Sequence, residues 1–115
     1  MADRTDRRLP ETAELRRLRR RIDALDKRIV AMLNERATLA REAGAAKAAA
    51  GRRAIRDAER EREVLLRVTI ANEGPLPQAD LLALYRRLFI ATRALEARDR
   101  DRSLAGTDDG DRPTP

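Results

Sequence analysis

The chain has 115 residues, 42% hydrophobic, 40% charged and 2% aromatic, with 26 basic and 20 acidic side chains and a net charge of +6. That is enough for one domain with a modest core, and the mixture, rich in Ala, Leu and charge, points to long helices packed together or coiled. With no cysteine and no histidine, disulfides, thiolate and imidazole metal ligands, a thiol nucleophile and the commonest general base are all excluded.

Residues 1–11 are polar and irregular and read as a flexible N-terminal segment. Their basic residues, in "MADRTDRRLP", are followed by no apolar h-region, so the segment does not read as a secretory signal. No apolar run along the chain approaches the roughly 20 residues that span a bilayer. The expectation is a cytoplasmic protein with no membrane partner.

Thr12 is placed to cap a first helix, with Glu14 in the first turn where the helix dipole favours negative charge. Apolar residues then recur at Leu15, Leu18, Ile22, Leu25, Ile29 and Met32 in alternating steps of three and four, and the helical period continues to about Ala50, where Gly51 makes a stop. Such a helix is roughly 55 Å long at 1.5 Å per residue. A domain of this size has a radius of gyration near 13 Å, so the helix outruns its own globule and its stripe needs a second copy to cover it. A homodimer is expected.

A short basic loop, "GRRAIR", leads to a second helix starting near Asp57, with Val64, Leu65, Val68 and Ala71 as its apolar positions. The segment "NEGPLPQAD" holds one glycine and two prolines and reads as a turn. A third helix is expected from about Gln78 to Arg98, with Leu81, Leu84, Tyr85, Leu88 and Leu95 inward. Residues 99–115 have little to bury and read as a disordered tail. The fold class is therefore all-α: one long helix and two shorter ones, within a domain spanning residues 12–98.

Each helix carries polar residues on its inward face. The first stripe steps from Met32 onto Arg36 before resuming at Leu39 and Ala43. Arg36 and Lys47, eleven positions apart, fall about 20° from each other round the helix, beside Ala40 and Ala43. They can clamp a small dianion, or both can snorkel to solvent from a stripe edge. Asp57 and Glu61 extend the apolar face of the second helix; dipole complementation accounts well for Asp57 and less well for Glu61. In the third helix Tyr85, Leu88, Thr92 and Glu96 share one face. Thr92 there is a common core residue bonded back to its helix, and Glu96 is either a buried carboxyl or a solvated group near the helix end. Together these residues suggest a polar pocket inside a helical bundle. Arginine supplies 24 of the 26 basic residues, which suits anionic partners but also follows from a GC-rich genome. The acids are interleaved with the bases as on solvated helix faces. An enzyme built from these residues works by positioning and electrostatics.

The blocks "LRRLRRRIDALDKRIVAMLNERATLA", "GAAKAAAGRRAIRDAEREREVL" and "LYRRLFIATRALE" resemble the all-α chorismate mutases, in order and with suitable spacing, over residues 15–96. The resemblance implies an intertwined homodimer with two sites shared across the interface, no cofactor and no metal. It implies the Claisen rearrangement of chorismate to prephenate in phenylalanine and tyrosine biosynthesis, which needs neither nucleophile nor general base. Carried over by position, Arg36 would bind one substrate carboxylate and Arg19 the other, in the partner's site. Lys47 would touch a carboxylate and the ether oxygen. Glu61, with Asp57 and Arg60 near it, would bind the ring hydroxyl. Thr92 stands where the family often has Ser, and Glu96 where it has Gln or Glu beside the ether oxygen. Two alternatives stay within the fold: a 4-amino-4-deoxychorismate mutase, whose substrate ammonium would sit comfortably beside Asp57 and Glu61, and an isochorismate pyruvate lyase. The alternative from another class is a non-catalytic, Arg-rich helical protein binding nucleic acid. That reading lacks stacking aromatics, since Tyr85 and Phe89 are the only aromatic residues.

Overall fold

The computed structural model of the chain describes residues 9–52 and 56–110. Within them lie three helices and no strand: α1 (Ala13–Ala49), α2 (Ala58–Ala71) and α3 (Gln78–Gly110). The chain divides into two compact units after Arg36. Among the described residues no helix is long and apolar enough to cross a membrane. The expected flexibility of residues 1–8 lies outside the described residues, as does the course of residues 53–55.

α1 begins where the sequence places it. The Leu15 amide donates to Thr12 Oγ1 at 3.1 Å, satisfying one of the free donors of the first turn. Its far end is closed by paired bonds: the Arg52 amide donates to the Lys47 carbonyl at 2.9 Å and the Gly51 amide to the Ala48 carbonyl at 3.0 Å. Gly51 has φ +80°, the left-handed conformation that this Schellman cap requires and that a Cβ disfavours. Along α1 the stripe Leu15, Leu18, Ile22, Leu25, Ile29 and Met32 is 39–55% exposed in the single chain.

The second unit is built on α2 and α3, which pack against each other. Asp57 caps α2, its carboxylate accepting from the Arg60 amide at 3.0 Å. Asn72 organises the turn that follows. Its amide nitrogen donates to the Leu76 carbonyl and to Gln78 Oε1, both at 3.1 Å, and its oxygen accepts from the Gly74 amide at 2.9 Å. Gly74 has φ +78° and precedes a cis proline, Pro75.

Among the described residues the most buried is Phe89, 7% exposed, which meets Tyr85 edge-on with ring centroids 6.4 Å apart. Val64, Leu65 and Val68 of α2 and Leu81, Leu88 and Leu95 of α3 are half-buried. Two expectations are corrected here. Leu84 is exposed, because it lies roughly 140° round the helix from Phe89. And α3 does not end at Arg98: it runs on to Gly110, so residues 99–110 are helical where a disordered tail was expected. Asp99, the first residue of that extension, is held by Arg41 of α1 through two bonds, Nε to Oδ2 at 2.8 Å and Nη2 to Oδ1 at 2.9 Å. Arg102 stands one turn further on, close enough to favour the Asp99 carboxylate. Residues 111–115 lie outside the described residues.

Candidate active site

Within the second unit, the C-terminal turns of α1 and the second half of α3 enclose a cleft of about 870 Å³. α1 supplies Arg41, Gly44, Ala45, Lys47 and Ala48, followed by Arg52, and α3 supplies Glu96, Asp99, Arg100, Ser103 and Leu104. Small residues on α1 set its width. At Gly44 an added Cβ would lie 3.2 Å from Glu96 Cγ and 3.3 Å from Cδ, so the absence of a side chain there lets Glu96 lie along the α1 backbone.

Lys47 and Glu96, predicted from separate helices, thus line one cleft. The Glu96 carboxyl titrates above its ordinary range, chiefly because it is partly buried; Lys47 opposes the shift, Asp99 adds to it, Arg93 opposes and Glu61 adds again. Burial of the uncharged form outweighs the neighbouring cations. Asp99, by contrast, is held below its usual range by the hydrogen bonds from Arg41.

The carboxylates of the second helix are placed differently. Glu61 is ion-paired with Arg93 of α3 and lies 3.6 Å from Arg56 Nε. The Glu61 and Arg93 side chains are both largely withdrawn from solvent, 17% and 27% exposed. Asp57 is committed to the α2 cap, with Arg52 Nη2 3.9 Å away. Arg60 extends along its own helix to Glu63 at 3.0 Å, a carboxylate it shares with Arg67. Thr92 donates its hydroxyl proton to the Leu88 carbonyl at 2.8 Å, as expected of a core threonine, so that only its lone pairs remain for another group. None of these four lines the cleft, although Glu61 is near enough to act on Glu96.

Arg19 and Arg36 belong to the first unit. Arg19 Nη1 meets Glu11 Oε1 at 2.5 Å, with the arginine side chain 64% exposed. Arg36 is half-buried.

Four cleft or near-cleft residues escape sequence reasoning: Arg93, Arg41, Asp99 and Gly44. Arg93 had a usable signal, since it follows Phe89 by one helical turn and so shares the most buried face of α3. Arg41 and Asp99 meet across 58 positions, and no local pattern reports such a pair.

Residues 18–97 match the family Chorismate mutase type II. The chain is 39% identical over 87 residues to the bifunctional chorismate mutase/prephenate dehydratase of Aquifex aeolicus (strain VF5), covering 72% of this chain and 24% of that protein. It is 36% identical over 92 residues to the protein of the same description from Stutzerimonas stutzeri, covering 76% of this chain and 25% of that protein. It therefore spans about a quarter of the length of the curated relatives it matches. Among solved structures, chorismate mutase (form II) from Thermus thermophilus superposes with a TM-score of 0.70 at 32% identity, over 74% of this chain and 96% of that one. Three helices in the expected order, a cleft joining Lys47 to Glu96, and a family match running from the first helix into the third together establish that the chain belongs to the chorismate mutase type II family.

Proposed function

We propose that this chain catalyses the rearrangement of chorismate to prephenate, as a cytoplasmic homodimer whose two sites each draw residues from both copies. The observation that carries the reading is the pairing of Lys47 with Glu96 in one cleft, with burial favouring the protonated form of the carboxyl. In this rearrangement the ether C–O bond breaks while a C–C bond forms within the same molecule, and no atom is gained or lost. The protein's task is to hold the dianion in its folded conformer and to stabilise the charge that grows on the ether oxygen. An ammonium from Lys47 and a neutral carboxyl from Glu96 are suited to that oxygen, because both donate hydrogen bonds and neither repels it.

The remaining roles follow the family positions. Arg36 binds one substrate carboxylate, and Arg19 of the second copy binds the other. Glu61 accepts from the ring hydroxyl, with Asp57 holding the start of α2 and Arg60 nearby on the same helix. Thr92 turns its hydroxyl from the Leu88 carbonyl to a carboxylate. The dimer is supported by the exposed apolar stripe of α1, an area that a second copy can bury.

A hydroxyl substrate is favoured over its amino counterpart at Glu61. That carboxylate already carries Arg93 and lies near Arg56, so little attraction is left for a substrate ammonium. The test presents the purified chain with chorismate, 4-amino-4-deoxychorismate and isochorismate in parallel and identifies the products. Prephenate from chorismate, with kcat/KM well above that for the other two, supports the reading. Preference for either alternative, or consumption of none, contradicts it.

A further inference from the structure

We propose that the Arg41–Asp99 pair is a positioning element of the active site: it locks α3 to α1 at the level of Glu96 and holds a fixed negative charge one helical turn from that carboxyl. The pair is bidentate, with bonds of 2.8 and 2.9 Å between a planar guanidinium and both oxygens of one carboxylate. This geometry restrains orientation as well as distance. Arg41 and Asp99 line the same cleft as Lys47 and Glu96. Arg41 stands three residues before Gly44 on α1, and Asp99 three after Glu96 on α3. The brace therefore sits one turn from the place where Glu96 passes the glycine so closely that an added Cβ would lie 3.2 Å from its Cγ. It sits within a surface ion pair's range of exposure, where stability gains are small, so its consequence lies in what it orients.

The charge matters as much as the brace. Glu96 is faced from α1 by Lys47, from α2 by Glu61, and along α3 by Arg93 and Asp99. Lys47 and Arg93 favour the ionised carboxyl; Glu61 and Asp99 favour the neutral one. Of the two anions Asp99 acts on Glu96 more strongly than Glu61 does, and Arg41 keeps it ionised and in place. The catalytic consequence rests on the proposed reaction, in which Glu96 donates to the ether oxygen; the electrostatic one does not.

The experiment follows the Glu96 carboxyl by carbon-detected NMR from pH 3 to 9 in the full chain, with Glu96→Gln assigning the resonance. The same proteins are assayed for kcat/KM on chorismate across pH. Asp99→Asn keeps an oxygen for Arg41 and removes the charge. The swapped double variant, Arg41→Asp with Asp99→Arg, keeps the brace and reverses the charge beside Glu96. The Glu96 midpoint is expected to fall by roughly half a pH unit in Asp99→Asn, and further in the swap. The falling limb of kcat/KM moves down by the same amounts. A merely structural pair predicts a wild-type midpoint in the swap. An unmoved midpoint in both variants overturns the proposal, whereas a shifted midpoint in a chain that leaves chorismate untouched supports it and overturns the proposed reaction instead.

Discussion

At Glu96 a side chain's chemistry is decided by its surroundings. A carboxylate beside an oxygen that is gaining negative charge raises the barrier, and a carboxylic acid there lowers it. Burial shifts the balance towards the acid, and the cations around it do not cancel that shift. The sign follows. If Glu96 is the proposed donor, the protonated fraction, and with it kcat/KM, should decline as pH rises through a midpoint above the usual range for glutamate. Measured from about pH 4.5 to 8.5, the profile should fall in the wild type and be flat in Glu96→Gln, which keeps a donor that does not titrate. Gly44 offers a second test at this scale. Alanine is the better helix former by up to about 1 kcal/mol, and the atoms its Cβ would crowd are the movable end of a side chain. Gly44→Ala should therefore leave the Tm unchanged or slightly raised. The displaced Glu96 should lower kcat/KM by about tenfold or more, because misplacing a catalytic group by an ångström is costly. Equal activity with equal stability would remove Glu96 from the reacting centre.

Among the elements, the starts and caps were legible and the long-range partners were not. Thr12, Gly51, Asp57 and Gln78 announce their helix ends by local chemistry: a side-chain acceptor, a glycine stop, a charge suited to the helix dipole, a residue just past a proline-rich turn. The structure has helix ends at all four, with Asp57 capping its helix through its side chain as well. The end of α3 was not legible, because residues 99–106 offer no apolar period and their anchor, Arg41, is 58 positions away. The inward face of α3 was read one residue off centre for a related reason. Alternation of leucines marks a broad stripe and does not tell the buried Phe89 from the exposed Leu84. Lys47 and Glu96 were singled out because they interrupt apolar faces, and they line one cleft; Arg93 was missed because its partner Glu61 lies on another helix. The exposed stripe of α1 leads to a sharp expectation. In a monomer Leu25→Asp would be nearly neutral, within about 0.5 kcal/mol, as at any exposed position. If a second copy covers the stripe, the substitution buries an unpaired charge at the interface. Leu25→Asp should then abolish the dimer in analytical ultracentrifugation and broaden or remove the cooperative thermal transition.

At the scale of the whole molecule, the proposed site draws on two copies. Arg36 and Arg19 are assigned to different carboxylates of one substrate, the second reaching in from the partner. On that proposal each makes a charge-assisted contact, so Arg36→Ala and Arg19→Ala should separately remove most of the turnover. A shared site then makes a prediction that no monomeric or self-contained site does. In a dimer of one Arg36→Ala and one Arg19→Ala subunit, one site lacks both arginines and the other has both. With random exchange in an equal mixture, half the dimers are mixed and half of their sites are intact, so activity should return to about a quarter of wild type. The decisive measurement is chorismate turnover by that mixture, with mass spectrometry confirming that mixed dimers have formed. Recovery to near that level is the predicted result, and mixed dimers that remain as inactive as either parent would contradict the account.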